Sequence, residues 1–116
     1  MGLVYVAMGV AREGGPEQTV RFLIDSGAAY SVLPWRVWRE LGLKPKRRIA
    51  DGTIIRRRLS DCRFIYQAID VPGPVVLGER NDAALLGVLT LEGLGLVLNP
   101  FERTLKPMRL MLAAYS

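Results

Sequence analysis

One run of the sequence combines residue types and spacing suited to chemistry: Ile24-Asp25-Ser26-Gly27-Ala28, where an apolar stretch gives way to a carboxylate, a hydroxyl and a glycine. The glycine permits a tight loop that would project short polar side chains from a strand end. Histidine is absent from the whole sequence. Ser-His and Cys-His nucleophilic pairs, histidine general bases and the usual zinc ligand sets are therefore excluded. Any acid/base chemistry falls to carboxylates, lysines or tyrosines. Cys62 is the only cysteine, which rules out an intrachain disulfide and fits a reducing compartment, so a cytoplasmic protein is expected.

The elements that would position Asp25 are short and strand-rich. Leu3 to Ala11 and Thr19 to Ile24 are rich in Val, Leu, Tyr and Phe and flank Glu13-Gly14-Gly15-Pro16, which predicts a β-hairpin running into Asp25. Tyr30 to Leu33 is the next strand. Pro34 at a first helical position, Trp35, Val37, Trp38 and Leu41 at helical spacing and Gly42 as terminator predict a short helix. Lys46 to Ile69 reads as a long hairpin turning at Ala50-Asp51-Gly52-Thr53, because Asp-Gly between β-prone segments favours a tight turn. Pro72-Gly73-Pro74 reads as a break. Val75 to Leu77 and Ala84 to Leu86 then read as short strands, and Thr90 as the cap of a brief helix ending at Gly93 or Gly95. Leu96 to Leu98, Thr104 to Leu105 and Arg109 to Ala113 complete the strands. Frequent turns between short strands favour a closed or sandwiched β architecture.

At 116 residues the chain is expected to form a single domain over residues 1–116. No run approaches the roughly 20 apolar residues of a membrane span. The N-terminal residues lack a basic leader, and Val6 stands where a myristoylation signal needs Ser or Thr, so a soluble, unprocessed chain without membrane association is expected. The net charge is +5, with basic residues gathered in Lys44-Pro45-Lys46-Arg47-Arg48 and Arg56-Arg57-Arg58.

The Asp25 segment resembles the active-site segment of aspartic proteases. With the continuation Tyr30-Ser31-Val32-Leu33-Pro34 and the downstream apolar-apolar-glycine Leu85-Leu86-Gly87, it resembles the retropepsin-like family across about residues 3 to 107, as do Leu86-Gly87-Val88-Leu89-Thr90-Leu91-Glu92, Leu94-Gly95-Leu96 and Asn99-Pro100. The resemblance implies a mainly β, retropepsin-like closed barrel or sandwich with one or two short helices. It also implies hydrolysis of peptide bonds in a polypeptide substrate, with no metal or organic cofactor.

That chemistry needs two carboxylates sharing one proton with a water between them, one acting as general base and the other as general acid. Two like charges so close do not both ionise easily, and the pair titrates as a unit. Only one Asp-Ser-Gly triplet exists here and the chain is about half the length of a two-lobed protease, so a symmetric homodimer is expected to supply the second Asp25. By the same resemblance Ser26 hydrogen-bonds across the two-fold axis, and Gly27 lets the substrate backbone approach. Ala28, Ala29 and Leu85 line subsites, and Ala50, Asp51, Gly52 and Thr53 form the tip of a flap that closes over peptide. Two positions depart from the viral pattern: Ala29 replaces an acidic residue and Val88 an arginine, a paired loss that exchanges an ion pair for apolar contact. The apolar tail Met108, Leu110, Met111, Leu112 and Ala113 is the candidate for strand pairing between protomers.

Plainer readings stand beside these. Asp-Ser-Gly is also a common surface turn, and Asp51-Gly52 would suit any hairpin. Trp35 and Trp38 read as packing residues, and Cys62 as a small buried one. An Arg56-Arg57-Arg58 strand would send at least one guanidinium against a neighbour, and without aromatic platforms beside these runs nucleic acid is an unfavoured partner. The alternative to an active endopeptidase is a protease-fold dimerisation or peptide-binding module that hydrolyses little or nothing.

Overall fold

The computed structural model describes residues 3–50 and 56–108, without the side chains of Ala50 and Arg56. The chain order is β1 (Tyr5–Ala11), β2 (Glu17–Ile24), β3 (Ser31–Leu33), α1 (Trp35–Leu41), β4 (Arg47–Ala50), β5 (Arg56–Tyr66) and β6 (Ile69–Leu77). It continues with β7 (Leu85–Leu86), α2 (Val88–Gly93), β8 (Leu96–Asn99) and β9 (Thr104–Pro107). Among the described residues seven strands form one sheet in the order β1-β2-β7-β3-β6-β5-β4, and β1 also pairs with β5, so the sheet returns on itself as a closed ring. The mainly β closed ring with two short helices matches the expected architecture. No helix among the described residues is long and apolar enough to cross a membrane.

The β1–β2 hairpin forms as its composition dictates, with Tyr5 opposite Leu23 and Ala11 opposite Glu17. Val20, Phe22 and Ile24 turn inward while Thr19 and Arg21 face solvent, the alternation of a half-buried strand. Their partners inside the ring include Met8, Val10, Leu33, Phe64, Val75, Leu77 and Leu86. The Phe22 and Phe64 rings meet at 6.4 Å between centroids in a tilted arrangement. Ser31-Val32-Leu33 and Val75-Val76-Leu77 are buried on both faces, which the unbroken apolar run of the second reflects; Ser31 is the one polar member.

Helix α1 starts one residue after Pro34 and ends where expected. Gly42 takes the left-handed conformation at φ 77° and donates to Arg39 O, while the Leu43 amide reaches back to Trp38 O, a glycine-terminated stop. Trp38 is buried and its indole N–H donates to Gly78 O at 2.8 Å. Trp35 lies between the guanidinium groups of Arg39 and Arg80, each 4.4 Å from its ring centroid. Both tryptophans are packing residues, as expected.

Two local expectations need correction. Pro72-Gly73-Pro74 does not break the chain: β6 runs through it, with Pro72 opposite Arg63 and Pro74 opposite Asp61. β3 covers β6 only from Val75 onward, so the prolines lie where one side of β6 has no strand neighbour and a missing N–H is tolerated. β5 and β6 are joined by a turn at Gln67-Ala68, with Gln67 at φ 56°. Thr90 does not cap α2: Gly87 occupies that position, and Thr90 is buried inside the helix. The turn at Asp51, Gly52 and Thr53 and the strand Arg109 to Ala113 lie outside the described residues.

Candidate active site

Asp25 follows β2 directly, and its position is set by the neighbouring strand. β2 pairs in parallel with β7, Leu23 opposite Leu85 and Ile24 opposite Leu86, and the Asp25 amide continues the ladder by donating to Leu86 O at 3.0 Å. The chain then folds tightly. The Ala28 amide donates to Asp25 O at 3.1 Å, and the Gly27 amide donates to the Asp25 carboxylate oxygen Oδ1 at 3.0 Å. This side-chain-to-backbone turn fixes the carboxylate's orientation and leaves Oδ2 without a hydrogen bond from the described residues. Asp25 is half-buried, and Ser26 and Gly27 are exposed beside it.

A second turn braces the first. The Val88 and Leu89 amides donate to Ala28 O and Ala29 O at 2.8 and 3.0 Å. The segments carrying the two departures from the viral pattern are thus neighbours, joined by backbone bonds. Gly87 makes the approach possible, since a Cβ there would sit 2.5 Å from the Tyr30 carbonyl carbon. Beneath the turns the Gly87 amide donates to the Ser31 hydroxyl at 2.9 Å, and that hydroxyl also hydrogen-bonds with the Thr90 hydroxyl. Ser31 and Thr90 are both buried, so each satisfies a polar group that would otherwise be orphaned.

Of the anticipated subsite residues, Ala28 is half-buried and Ala29 exposed on the Asp25 loop. Leu85 packs on a small apolar cluster of Val32, Leu59 and Val76, flanked by Tyr30 and Ile49. The cluster joins the strand beside Asp25 to the base of the β4–β5 hairpin. Ala50 ends β4 at the described limit of that hairpin, and Asp51, Gly52 and Thr53 lie beyond it. Tyr30, Ile49 and Val32 escaped the sequence reading because nothing in a lone apolar residue marks which face of a strand it will line. Ser31 and Thr90 escaped it because their pairing spans 59 residues.

On the flank of the loop, a cleft of about 280 Å³ is lined by Ser26, Val88, Leu91, Leu96, Val97 and Met108. Val97 is 47% exposed and Met108 37%, an apolar surface continuous with the carboxylate loop. The basic runs have local partners: Arg57 pairs with Asp82 at 2.9 Å, Arg58 lies 5.3 Å from the Trp38 ring centroid, and Arg47 grips both Asp61 oxygens at 3.2 Å.

No curated protein matches the chain in sequence. Among solved structures the fold is similar to the retroviral protease-like domain of Ddi1 from Leishmania major, with a TM-score of 0.64 and 13% identity over 95% of this chain and 91% of that one. It is also similar to a retropepsin-like aspartic protease from Rickettsia conorii, with a TM-score of 0.60 and 18% identity over 84% of this chain and 77% of that one. The protease–reverse transcriptase of prototype foamy virus gives a TM-score of 0.56 and 15% identity over 98% of this chain, which spans 14% of the viral one. At such identities the likeness establishes the retropepsin-like fold. The sequence profile of the aspartyl protease family matches residues 10–88, a stretch that holds both Asp25 and Leu85-Leu86-Gly87, and the chain belongs to that family.

Proposed function

We propose that the protein is an aspartic endopeptidase that acts as a homodimer, each protomer contributing Asp25. The observation that carries this reading is the tethered carboxylate: Gly27 holds Oδ1 from within the loop, and Leu86 O holds the Asp25 backbone from the neighbouring segment. A preoriented carboxylate at a partly open strand end suits general acid/base work on a water. One protomer offers a single such group, and the apolar flank beside Ser26 supplies a surface on which a second copy can seat. In the dimer the two carboxyl groups share one proton. The ionised one takes a proton from the water as the water oxygen bonds to the peptide carbonyl carbon, and the protonated one supports the carbonyl oxygen. Protonation of the amine nitrogen then breaks the C–N bond and releases two peptides. Leu85 with Val32 and Ile49 would favour apolar side chains next to the scissile bond.

The test is Asp25→Asn. Cleavage of an unfolded polypeptide is abolished while sedimentation still reports a dimer; undiminished turnover in the variant rejects the assignment. A purified protein that is monomeric under all cleaving conditions rejects the paired-carboxylate form. Loss of the viral acid and arginine, as Ala29 and Val88, favours a second reading, a dimerising or peptide-binding module with little hydrolysis. Pepstatin-sensitive cleavage of a diverse peptide library eliminates it.

A further inference from the structure

A second cleft, of about 520 Å³, shares no residue with the Asp25 loop or its apolar flank; it is lined by Arg12, Leu43, Lys44, Lys46, Ser60 and Asp61. Its walls come from three elements: the turn after β1, the chain leaving α1, and the base of the β4–β5 hairpin. Ser60 stands out among them. The residue is 1% exposed, and its hydroxyl has no hydrogen-bond partner among the described residues. A buried hydroxyl without a partner is unfavourable in a folded protein, and its usual resolution is a bound polar group.

The charges around the cleft define that group. Asp61 is matched by Arg47, which reaches both its oxygens at 3.2 Å, and by Lys46 at 3.7 Å. Glu13 is the other acid on the wall, and it shares the lining with Arg12 and Lys44 as well as the Asp61-paired Lys46. Arg12 is held in place because its Nε donates to Leu41 O at 3.2 Å, which leaves its terminal amino groups as donors. A preset guanidinium, two ammonium groups and a buried hydroxyl make a donor-rich lining with a net positive field.

We propose that this cleft binds the oxyanion of a small molecule, a phosphate or carboxylate group. Arg12, Lys44 and Lys46 take its charge and the Ser60 hydroxyl donates to one of its oxygens. Because Lys46 leads directly into β4 and Ser60 lies on β5, such a ligand ties the base of that hairpin to the end of α1. The site is independent of the Asp25 assignment and stands or falls without it.

The experiment is a titration of the full isotope-labelled chain with inorganic phosphate, and separately with succinate, at ionic strength held constant with chloride. Amide resonances of Gly42, Leu43, Lys44, Ser60 and Asp61 shift saturably while those of Asp25 to Gly27 do not move. The stronger of the two probes identifies the group. Ser60→Ala weakens binding by about tenfold or more, the loss of one hydrogen bond to a charged group. Lys44→Gln, on an exposed side chain whose loss leaves the fold alone, weakens it as well and serves if Ser60→Ala disturbs resonances beyond the cleft. Shifts that grow linearly and are matched by chloride overturn the proposal, as does unchanged affinity in both variants.

Discussion

The Gly87 amide donates to the Ser31 hydroxyl at 2.9 Å, a bond across 56 residues that clamps the second glycine turn onto the strand following the Asp25 loop. Thr90 completes the clamp from inside α2. Replacing Ser31 by Ala strands the Gly87 N–H and the Thr90 hydroxyl in the interior, at a cost of about 1–3 kcal/mol. Urea unfolding of Ser31→Ala, Thr90→Val and the double variant is expected to show a double change smaller than the sum of the single ones, because both remove the same network. Strict additivity would refute the shared clamp.

Gly87 itself is predicted to tolerate no side chain. A Cβ would lie 2.5 to 2.8 Å from backbone atoms of Ala29 and Tyr30, which have nowhere to retreat without opening the Asp25 loop. Gly87→Ala should destabilise by about 3 kcal/mol, at the upper end of overpacking, and abolish any Asp25-dependent cleavage. Gly93→Ala is the control, since its Cβ would meet only Val71 Cγ2 at 4.0 Å. Equal unfolding midpoints for the two variants would contradict the close approach.

Cys62 should be chemically silent in the native protein. Burial pushes its thiol up to about 12, with the Asp61 charge adding to the effect. Near the ordinary thiol value of about 8.5, where a free thiol is half ionised, native Cys62 stays protonated, and alkylation should run at least about a hundredfold slower than in urea-unfolded chain. Rapid labelling of folded protein would show that the β5 environment opens on the timescale of the reaction.

The Arg47 guanidinium, by hydrogen bonding first and by its charge, holds the Asp61 carboxyl below the usual carboxylate range, with Lys46 contributing. A carboxyl lowered in the folded state favours folding above its ordinary value of about 3.9, and that contribution fades as pH falls through the lowered folded value. Asp61→Asn should therefore be less stable than the parent near neutrality, with the gap closing in acid and in high salt, because the pair is solvent-exposed. A gap that persists at low pH would assign the loss to packing.

Much of this was legible in the residues. The β1–β2 hairpin and α1 were read correctly because glycine and proline mark their limits, and Asp25-Ser26-Gly27 with Leu85-Leu86-Gly87 marked the loop and its brace. The register joining Ile24 to Leu86 was not legible, since parallel pairing between distant segments leaves no local periodicity. Pro72 and Pro74 misled because a proline's effect depends on whether its edge of the strand has a neighbour. Thr90 misled for a related reason: a hydroxyl before a short helix suggests a cap, and only tertiary packing reveals its buried partner.

Parallel pairing of β2 with β7 also has a temporal meaning. The strand that leads into Asp25 and the residues that brace its loop lie some sixty positions apart in the chain, and such distant contacts form slowly. The Asp25 loop therefore stays without its brace until the two segments have met.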